Sequence, residues 1–313
     1  MNLQQLRYAA EVGRRGLNVS EAAAALHTSQ PGVSKQLRAL EEELGAEIFV
    51  RQGRRLTAVT EAGREILAGI GRILAEIANL RVVGEEHANQ ARGSLVLAVT
   101  HTQARYALPK VVAAFKRRYP EVHLKILQGS PHDLAKAVVD GEADIAIATE
   151  ALAGYGELVS VPAYQWHHGV VVGAGHALER EKPHTREAIA RYPIVTYDAS
   201  FTGRSAIDRS FARRGLEPEI ALTALDSDVI KSYAGLGLGV GIISAMAYDA
   251  QKDRGLALLP ADHLFPVQTT RVAFRRGARL RGFAAEFIGM FVPHLTREAI
   301  GRLARGVGDD FVI

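Results

Sequence analysis

Gln30, Ser34, Lys35 and Arg38 recur at helical spacing and make one face of short polar and cationic side chains. Such a face can hydrogen-bond base edges and reach phosphates. Ser29 and Pro31 stand just ahead of it, where a capping hydroxyl and a first-turn proline belong. Further on, the stretch RQGRR carries Arg51, Arg54 and Arg55, a cationic cluster suited to phosphates flanking a groove. A second group of residues is uncharged. Thr100, Thr102 and Gln103 follow one apolar run, Thr149 ends another, and Thr202-Gly203 precedes a helical segment. Hydroxyls and helix N-terminal amides bind anions without a fixed countercharge. A lone Ser or Thr is more often a helix cap; recurrence at several strand ends is what points to an anion site.

Other chemistries are excluded or unsupported. The 313 residues contain no cysteine, which removes disulfides, Cys-ligated zinc and thiol catalysis. There is no G-x-S-x-G elbow and no H-E-x-x-H pair, and Gly235, Gly237, Gly239 and Gly241 miss the G-x-G-x-x-G spacing because Val240 takes the last position. His167 and His168 are adjacent and so point apart, a poor ligand pair. No catalytic constellation, metal site or resident cofactor is expected. No apolar run is long enough to span a membrane, and the N-terminus lacks the basic-then-apolar order of an export signal, so a cytoplasmic location is expected. The net charge of +4 is compatible with a polyanionic partner but too small to identify one.

These side chains need elements to position them. Residues 2–15 read as a helix with Asn2 as a cap. Ser20 is expected to cap a second helix whose Ala22, Ala23 and Leu26 face inward, and the turn His27–Ser29 leads into a third with Val33, Leu37, Leu40 and Leu44 on its inner face. That is a helix-turn-helix. Gly45 ends it as a left-handed cap. Ile48–Val50 and Leu56-Thr57 flank the arginine-rich tip as a hairpin wing. From Thr60 to about 87, Ile66, Ile70, Ile73, Ile77 and Leu80 step by four and three, a heptad seam on a helix roughly 40 Å long. A seam without an adjacent partner helix suggests pairing between chains. Strands and helices alternate from Ser94 onward, in two units with mostly parallel sheets joined by two crossings. Ligands in such folds bind at the carboxyl ends of strands, here between the units.

The expected organisation is α followed by α/β. A winged helix-turn-helix occupies residues 1–59, and a dimerising linker helix 60–88. A two-lobed effector domain fills 89–300, with lobe I at 89–163 and 267–300 and lobe II at 164–266; the tail 301–313 is unassigned. This layout resembles LysR-type transcriptional regulators. The matching stretches are AAAALHTSQPGVSKQLRALEEELGAEIFVR with TEAG after it, GEADIAIAT, and GLGLGVGII, spread over residues 1–300. A departure is HAL at 176–178 where many members have HPL. A further set, LQQLRY, LNVS, GSL, THTQARYALP, QGSP, IATEAL, FTGRS and DSDVIK, is similar to the branch that governs sulfur assimilation and cysteine biosynthesis. The resemblance implies a periplasmic-binding-protein-like effector domain, a homotetramer bound to double-stranded promoter DNA and RNA polymerase as a partner. It implies acetylserine as effector, with sulfate or thiosulfate competing. The implied anion pocket comprises Thr100, Thr102, Gln103, Thr149, Trp166 and Thr202. A paralogue serving another sulfur source is the alternative. A solute receptor or an enzyme ranks lower, for want of an export signal and of an acid–base pair.

Overall fold

The computed structural model describes residues 1–53, 55–88 and 92–304. They form two compact units, Met1–Glu85 and Glu86–Ile313. The first begins with α1 (Leu3–Arg14), where the Asn2 side chain accepts from the Gln5 amide and the Gln5 side chain from the Asn2 amide. This reciprocal box satisfies two amides that the helix itself cannot. In α2 (Val19–Ala25) the cap is Asn18 and not the expected Ser20. Asn18 has extended backbone, and its carbonyl oxygen accepts from both Ser20 and Glu21 amides, which puts Ser20 inside the first turn. α3 (Gln30–Leu44) starts at Ser29, whose hydroxyl accepts from Gly32, and stops at Gly45 in the left-handed region with φ 66°. Val33, Leu37 and Leu40 pack on Leu6, Ala9, Val12, Ala22 and Ala23, all buried. Each large side chain so buried is worth about 1.5–3 kcal/mol before entropy is charged against it.

The wing is an antiparallel pair, β1 (Phe49–Gln52) and β2 (Arg55–Val59). Thr60 then starts α4 (Glu61–Ala88): its hydroxyl donates to the Glu47 carbonyl at 2.6 Å and accepts from the Gly63 amide at 2.7 Å. A Cβ on Gly63 would lie 2.0 Å from the Ile48 carbonyl oxygen, so only glycine lets this helix leave the wing so closely.

In the second unit β3 (Gly93–Val99) runs into a π-turn, Gln103–Ala107, and then α5 (Leu108–Arg118). β4 (Val122–Gln128), α6 (Pro131–Val139), β5 (Ile145–Ala148) and β6 (Leu158–Trp166) follow. The chain crosses at His167 into a second lobe: β7 (His168–Gly173), α7 (Arg186–Ile189), β8 (Ile194–Tyr197), α8 (Thr202–Ala212), β9 (Ile220–Ala224), α9 (Ser227–Gly235), β10 (Val240–Ser244) and β11 (Leu256–Leu259). It returns through β12 (Gln268–Arg275), α10 (Gly282–Phe291) and α11 (Arg297–Ala304).

The sheet orders are β4-β3-β5-β12-β6 in lobe I and β11-β7-β10-β8-β9 in lobe II. β3 pairs in parallel with β4 and β5, and β8 with β9 and β10; β12 and β7 are antiparallel to both their neighbours. The sheets are therefore mixed where mostly parallel ones were expected. The antiparallel strands are the two that cross between lobes, and they enter the sheets without the crossover helix that parallel pairing requires. Because β6 holds its place in the first sheet through Trp166, the first crossing falls later than the expected 163/164 boundary. α11 buries Ile300, Leu303 and Ala304 in the lobe I core, so the expected tail begins as packed helix; residues 305–313 lie outside the described residues.

Candidate functional site

On α3, Gln30, Lys35 and Arg38 are exposed, Ser34 is half-buried, and Pro31 is exposed in the first turn; the Ser29 hydroxyl is engaged as the cap. These side chains share the face opposite the buried Val33, Leu37 and Leu40, because their spacing is helical and the apolar set fixes the other side. At the wing, Arg55 is exposed and Arg54 lies outside the described residues. Arg51 departs from expectation. Its guanidinium lies 2.8 Å from the Glu41 carboxylate, whose other oxygen accepts from the Ile48 and Phe49 amides at 2.9 and 3.2 Å. Arg51 thus balances a carboxylate that is itself a buried clamp on the start of β1, and its charge is spent inside the unit.

Along α4 the seam divides. Ile70 is 3% exposed and belongs to the helix-turn-helix core, with Ile66, Leu67 and Leu74 packed against the same cluster. Ile77 is half-buried, while Ile73 and Leu80 are 43% and 65% exposed. The expectation that all five residues pair two chains is corrected at Ile70: its surface is consumed within its own chain. Ile73 and Leu80 retain apolar surface for a partner.

The effector unit brings most of the second set to its interlobe cleft. Thr100 and Thr149 directly follow the neighbouring strands β3 and β5, both buried, and the Thr100 amide donates to the Ile147 carbonyl. Thr102 precedes the π-turn, and its hydroxyl is 3.4 Å from that of Ser227 at the start of α9 in lobe II. Trp166 ends β6 beside the start of α8, where its ring lies 3.8 Å from the Cβ position of Gly203. Thr202 is the first residue of α8, inside the helix and not ahead of it; its side chain lies outside the described residues. Gln103 is anchored within lobe I. It is 2% exposed, its amide nitrogen donates to the Thr270 hydroxyl at 3.0 Å, and its oxygen accepts from the Tyr164 hydroxyl. Both ends of the side chain are used to tie the π-turn to β6 and β12.

Several residues that sequence reasoning passed over occupy the same cleft. The Arg105 guanidinium of lobe I is 2.6 Å from the Asp228 carboxylate of lobe II, and the Tyr106 hydroxyl donates to Asp228 at 2.6 Å. Lys231, one turn along α9, lies 3.2 Å from Asp228 and 3.0 Å from Asp253 and donates to the Ala247 carbonyl. Burial works against ionisation of Asp228, but the hydrogen bonds from Tyr106 and Lys231 and the nearby cations outweigh it and hold its carboxyl below the usual range. Tyr197 joins the network from the buried side, bonded to the Ser227 hydroxyl at 2.7 Å and accepting from the Ser244 amide at 2.8 Å. His101, Asp226 and Asp228 approach one another closely enough to suggest a cation site. Asp226 caps α9 and Asp228 already faces Arg105 and Lys231, so a metal would have to displace two resident positive charges.

The arrangement is a helix with an exposed polar and cationic face in one unit and a two-lobed fold with a hydroxyl-lined, cross-tied cleft in the other. Comparison with known proteins agrees with both. Residues 3–64 match the bacterial regulatory helix-turn-helix protein, lysR family, and residues 88–296 the LysR substrate binding domain. The chain is 50% identical over 311 residues to the HTH-type transcriptional regulator CysB of Burkholderia cenocepacia, covering 99% of each chain. It is 52% identical over 305 residues to SsuR of the same organism, covering 97% of this chain and 99% of that one. To cbl of Escherichia coli it is 44% identical, covering 96% of each. Among solved structures, the cofactor-binding domain of the Cbl transcriptional regulator superposes with a TM-score of 0.66 at 42% identity, over 68% of this chain and 93% of that one. Full-length OxyR from Pseudomonas aeruginosa gives 0.65 at 20% identity over 97% and 100%, a likeness of fold. Among the described residues no helix is long and apolar enough to cross a membrane. The chain belongs to the LysR family, and it is a DNA-binding transcriptional regulator with a small-molecule effector domain and not an enzyme.

Proposed function

We propose that this regulator controls genes of sulfur assimilation and cysteine biosynthesis, responding to a small anion between the lobes. Acetylserine is the effector, with sulfate or thiosulfate competing for the same place. The observation that carries this reading is the composition of the cleft: buried Thr100 and Thr149 on neighbouring strand ends, with Thr102 held to lobe II through Ser227. Neutral donors suit a reversible sensor, since charge-assisted bonds to a fixed cation are roughly twice as strong and would hold an anion at all concentrations. Groups from both lobes favour the closed arrangement when ligand is bound, and that differential affinity shifts the population. The likeness to CysB and cbl over nearly the whole chain supports the sulfur role. The equal likeness to SsuR favours a second reading, a paralogue serving another sulfur source.

The working form is a homotetramer in the cytoplasm on double-stranded operator DNA, acting with RNA polymerase. Exposed Ile73 and Leu80 on α4, and Val229 and Tyr233 on α9 with Leu236 just after it, offer apolar surface for chain–chain contact. Anisotropy titration of the full chain on DNA upstream of sulfur-assimilation genes, with and without acetylserine or sulfate, tests the proposal. A ligand-dependent change in affinity or footprint is expected. Specific binding that neither compound alters points to the paralogue reading.

A further inference from the structure

The start of α8 is surrounded by buried polar atoms that have no partner. His168 is 1% exposed and Trp166 9%, and neither imidazole nitrogen nor Trp166 Nε1 makes a hydrogen bond. Their rings lie 5.0 Å apart, and Phe265 closes the other side of His168 at 5.5 Å. His168 opens β7 directly opposite Ser244, the last residue of β10, whose hydroxyl is also buried and unpartnered. Directly opposed residues of an antiparallel pair present their side chains on the same face, with Cβ atoms about 5 Å apart. A Cβ on Gly203, the second residue of α8, would stand 3.3 Å from His168 Nε2, so the imidazole lies against the helix terminus itself. Among the described residues no side chain caps this end, and Phe201 holds the cap position. The helix has 11 residues, long enough for its unpaired amides to carry a positive potential.

Buried polar groups nearly always find partners, and a cluster that lacks them marks a place where something else supplies them. The positive end of α8 states the sign: an acceptor, and an anionic one. We propose that His168 is a further effector-binding residue, its uncharged imidazole donating N–H, together with Trp166 Nε1, to an anionic oxygen seated at the N-terminus of α8. Burial, and then the neighbouring His167, lower the pKa of His168 to about 4, which keeps the ring neutral throughout the physiological range. The site therefore remains one of neutral donors, as at Thr100 and Thr149. Its ligand class is a small oxyanion, carboxylate or sulfate. The inference rests on the cleft being the effector site and adds a residue outside the threonine set.

Calorimetric titration of the full chain with sulfate and, separately, with acetylserine tests it. His168→Phe keeps the ring and removes both nitrogens; affinity should fall about tenfold or more. His168→Gln, which returns an amide N–H near the Nε2 position, should recover part of that loss. Loss for both compounds assigns the shared oxyanion to this position, and loss for one identifies the ligand that uses it. Wild-type affinity for both in His168→Phe overturns the proposal while leaving the cleft reading intact. Absence of binding by the wild-type chain overturns both. Should His168→Phe not fold, long-range ¹H–¹⁵N spectra of the labelled wild-type chain decide, with the His168 imidazole assigned by its absence from the spectrum of His168→Gln. Sulfate should shift its nitrogen resonances, and unshifted resonances at saturating sulfate refute the contact.

Discussion

The guanidinium of Arg105 in lobe I and the carboxylate of Asp228 in lobe II are 2.6 Å apart, a direct ionic tie across the cleft. Arg105 lies within the π-turn that Thr102 precedes, so a residue of the proposed anion site and the tie share one short segment. Tyr106, next along, packs against the lobe II core and donates to the same carboxylate. Whatever moves Thr102 on ligand binding moves this tie with it.

Removing the tie should loosen closure. In Asp228→Asn, Lys231, whose side chain is 9% exposed, loses one of two anionic neighbours, and stability should fall by about 1–3 kcal/mol. Arg105→Ala should cost less, since that side chain is 56% exposed and screened. Effector affinity should follow the same ranking. Thermal denaturation and calorimetry on the two variants check both statements.

His168 gives a pH dependence of known sign. Its pKa is lowered to about 4 in the fold and is about 6.5 in the unfolded chain. Between those values the unfolded state binds more protons, so stability rises with pH. The contribution is complete above about pH 6.5 and lost by about pH 4, a change of about 3 kcal/mol. Asp228, whose pKa is depressed, loses its own contribution only below the ordinary Asp value of about 3.9, as pH falls through its folded pKa. Denaturant melts at pH 7, 5.5 and 4.5 should therefore show a slope that disappears in His168→Gln.

The two kinds of residue on α4 should separate by experiment. Ile70→Ala deletes a core side chain and should cost about 2–5 kcal/mol. Asp at Ile73 and Leu80 should leave folding intact and reduce chain–chain association. Light scattering alongside denaturation distinguishes the cases; an Ile73→Asp, Leu80→Asp chain with unchanged mass would show that this stripe pairs nothing.

On α3, Lys35→Ala and Arg38→Ala should weaken operator binding by about 1–3 kcal/mol if the side chain reads a base. If it contacts phosphate, binding falls on all sequences and the salt slope drops by about one. Arg51→Ala should instead destabilise the wing, because Glu41 is left buried without its cation. Anisotropy across a salt series, with a melt for each variant, reads the difference.

What could be read in advance follows from distance along the chain. Asn2, Ser29, Pro31 and Gly45 act on amides or turns within a few residues, so the helix-turn-helix was legible from spacing. Asn18 and Ser20 are both cap formers two positions apart, and only backbone conformation chooses between them. The heptad on α4 gives a face but not what covers it, and Ile70 is covered by its own chain. Thr100 and Thr149 were visible as hydroxyls ending apolar runs. Gln103 was visible too, but its partner Thr270 is 167 residues away, and nothing local says its amide is anchored there. The Arg105–Asp228 tie and the unpartnered His168 depend equally on long-range packing. His167 and His168, adjacent in sequence and so a poor ligand pair, do diverge: His167 is exposed and His168 buried.

The central claim is that an anion held by the threonines of the cleft governs the DNA contacts of α3. The direct measurement is operator binding by the full chain at increasing acetylserine, in wild type and in Thr100→Ala. The wild-type affinity or footprint should change over a saturable range, and Thr100→Ala should bind ligand-free DNA normally while needing a higher acetylserine concentration for the same change. An identical acetylserine response in Thr100→Ala would contradict the claim and place the effector elsewhere.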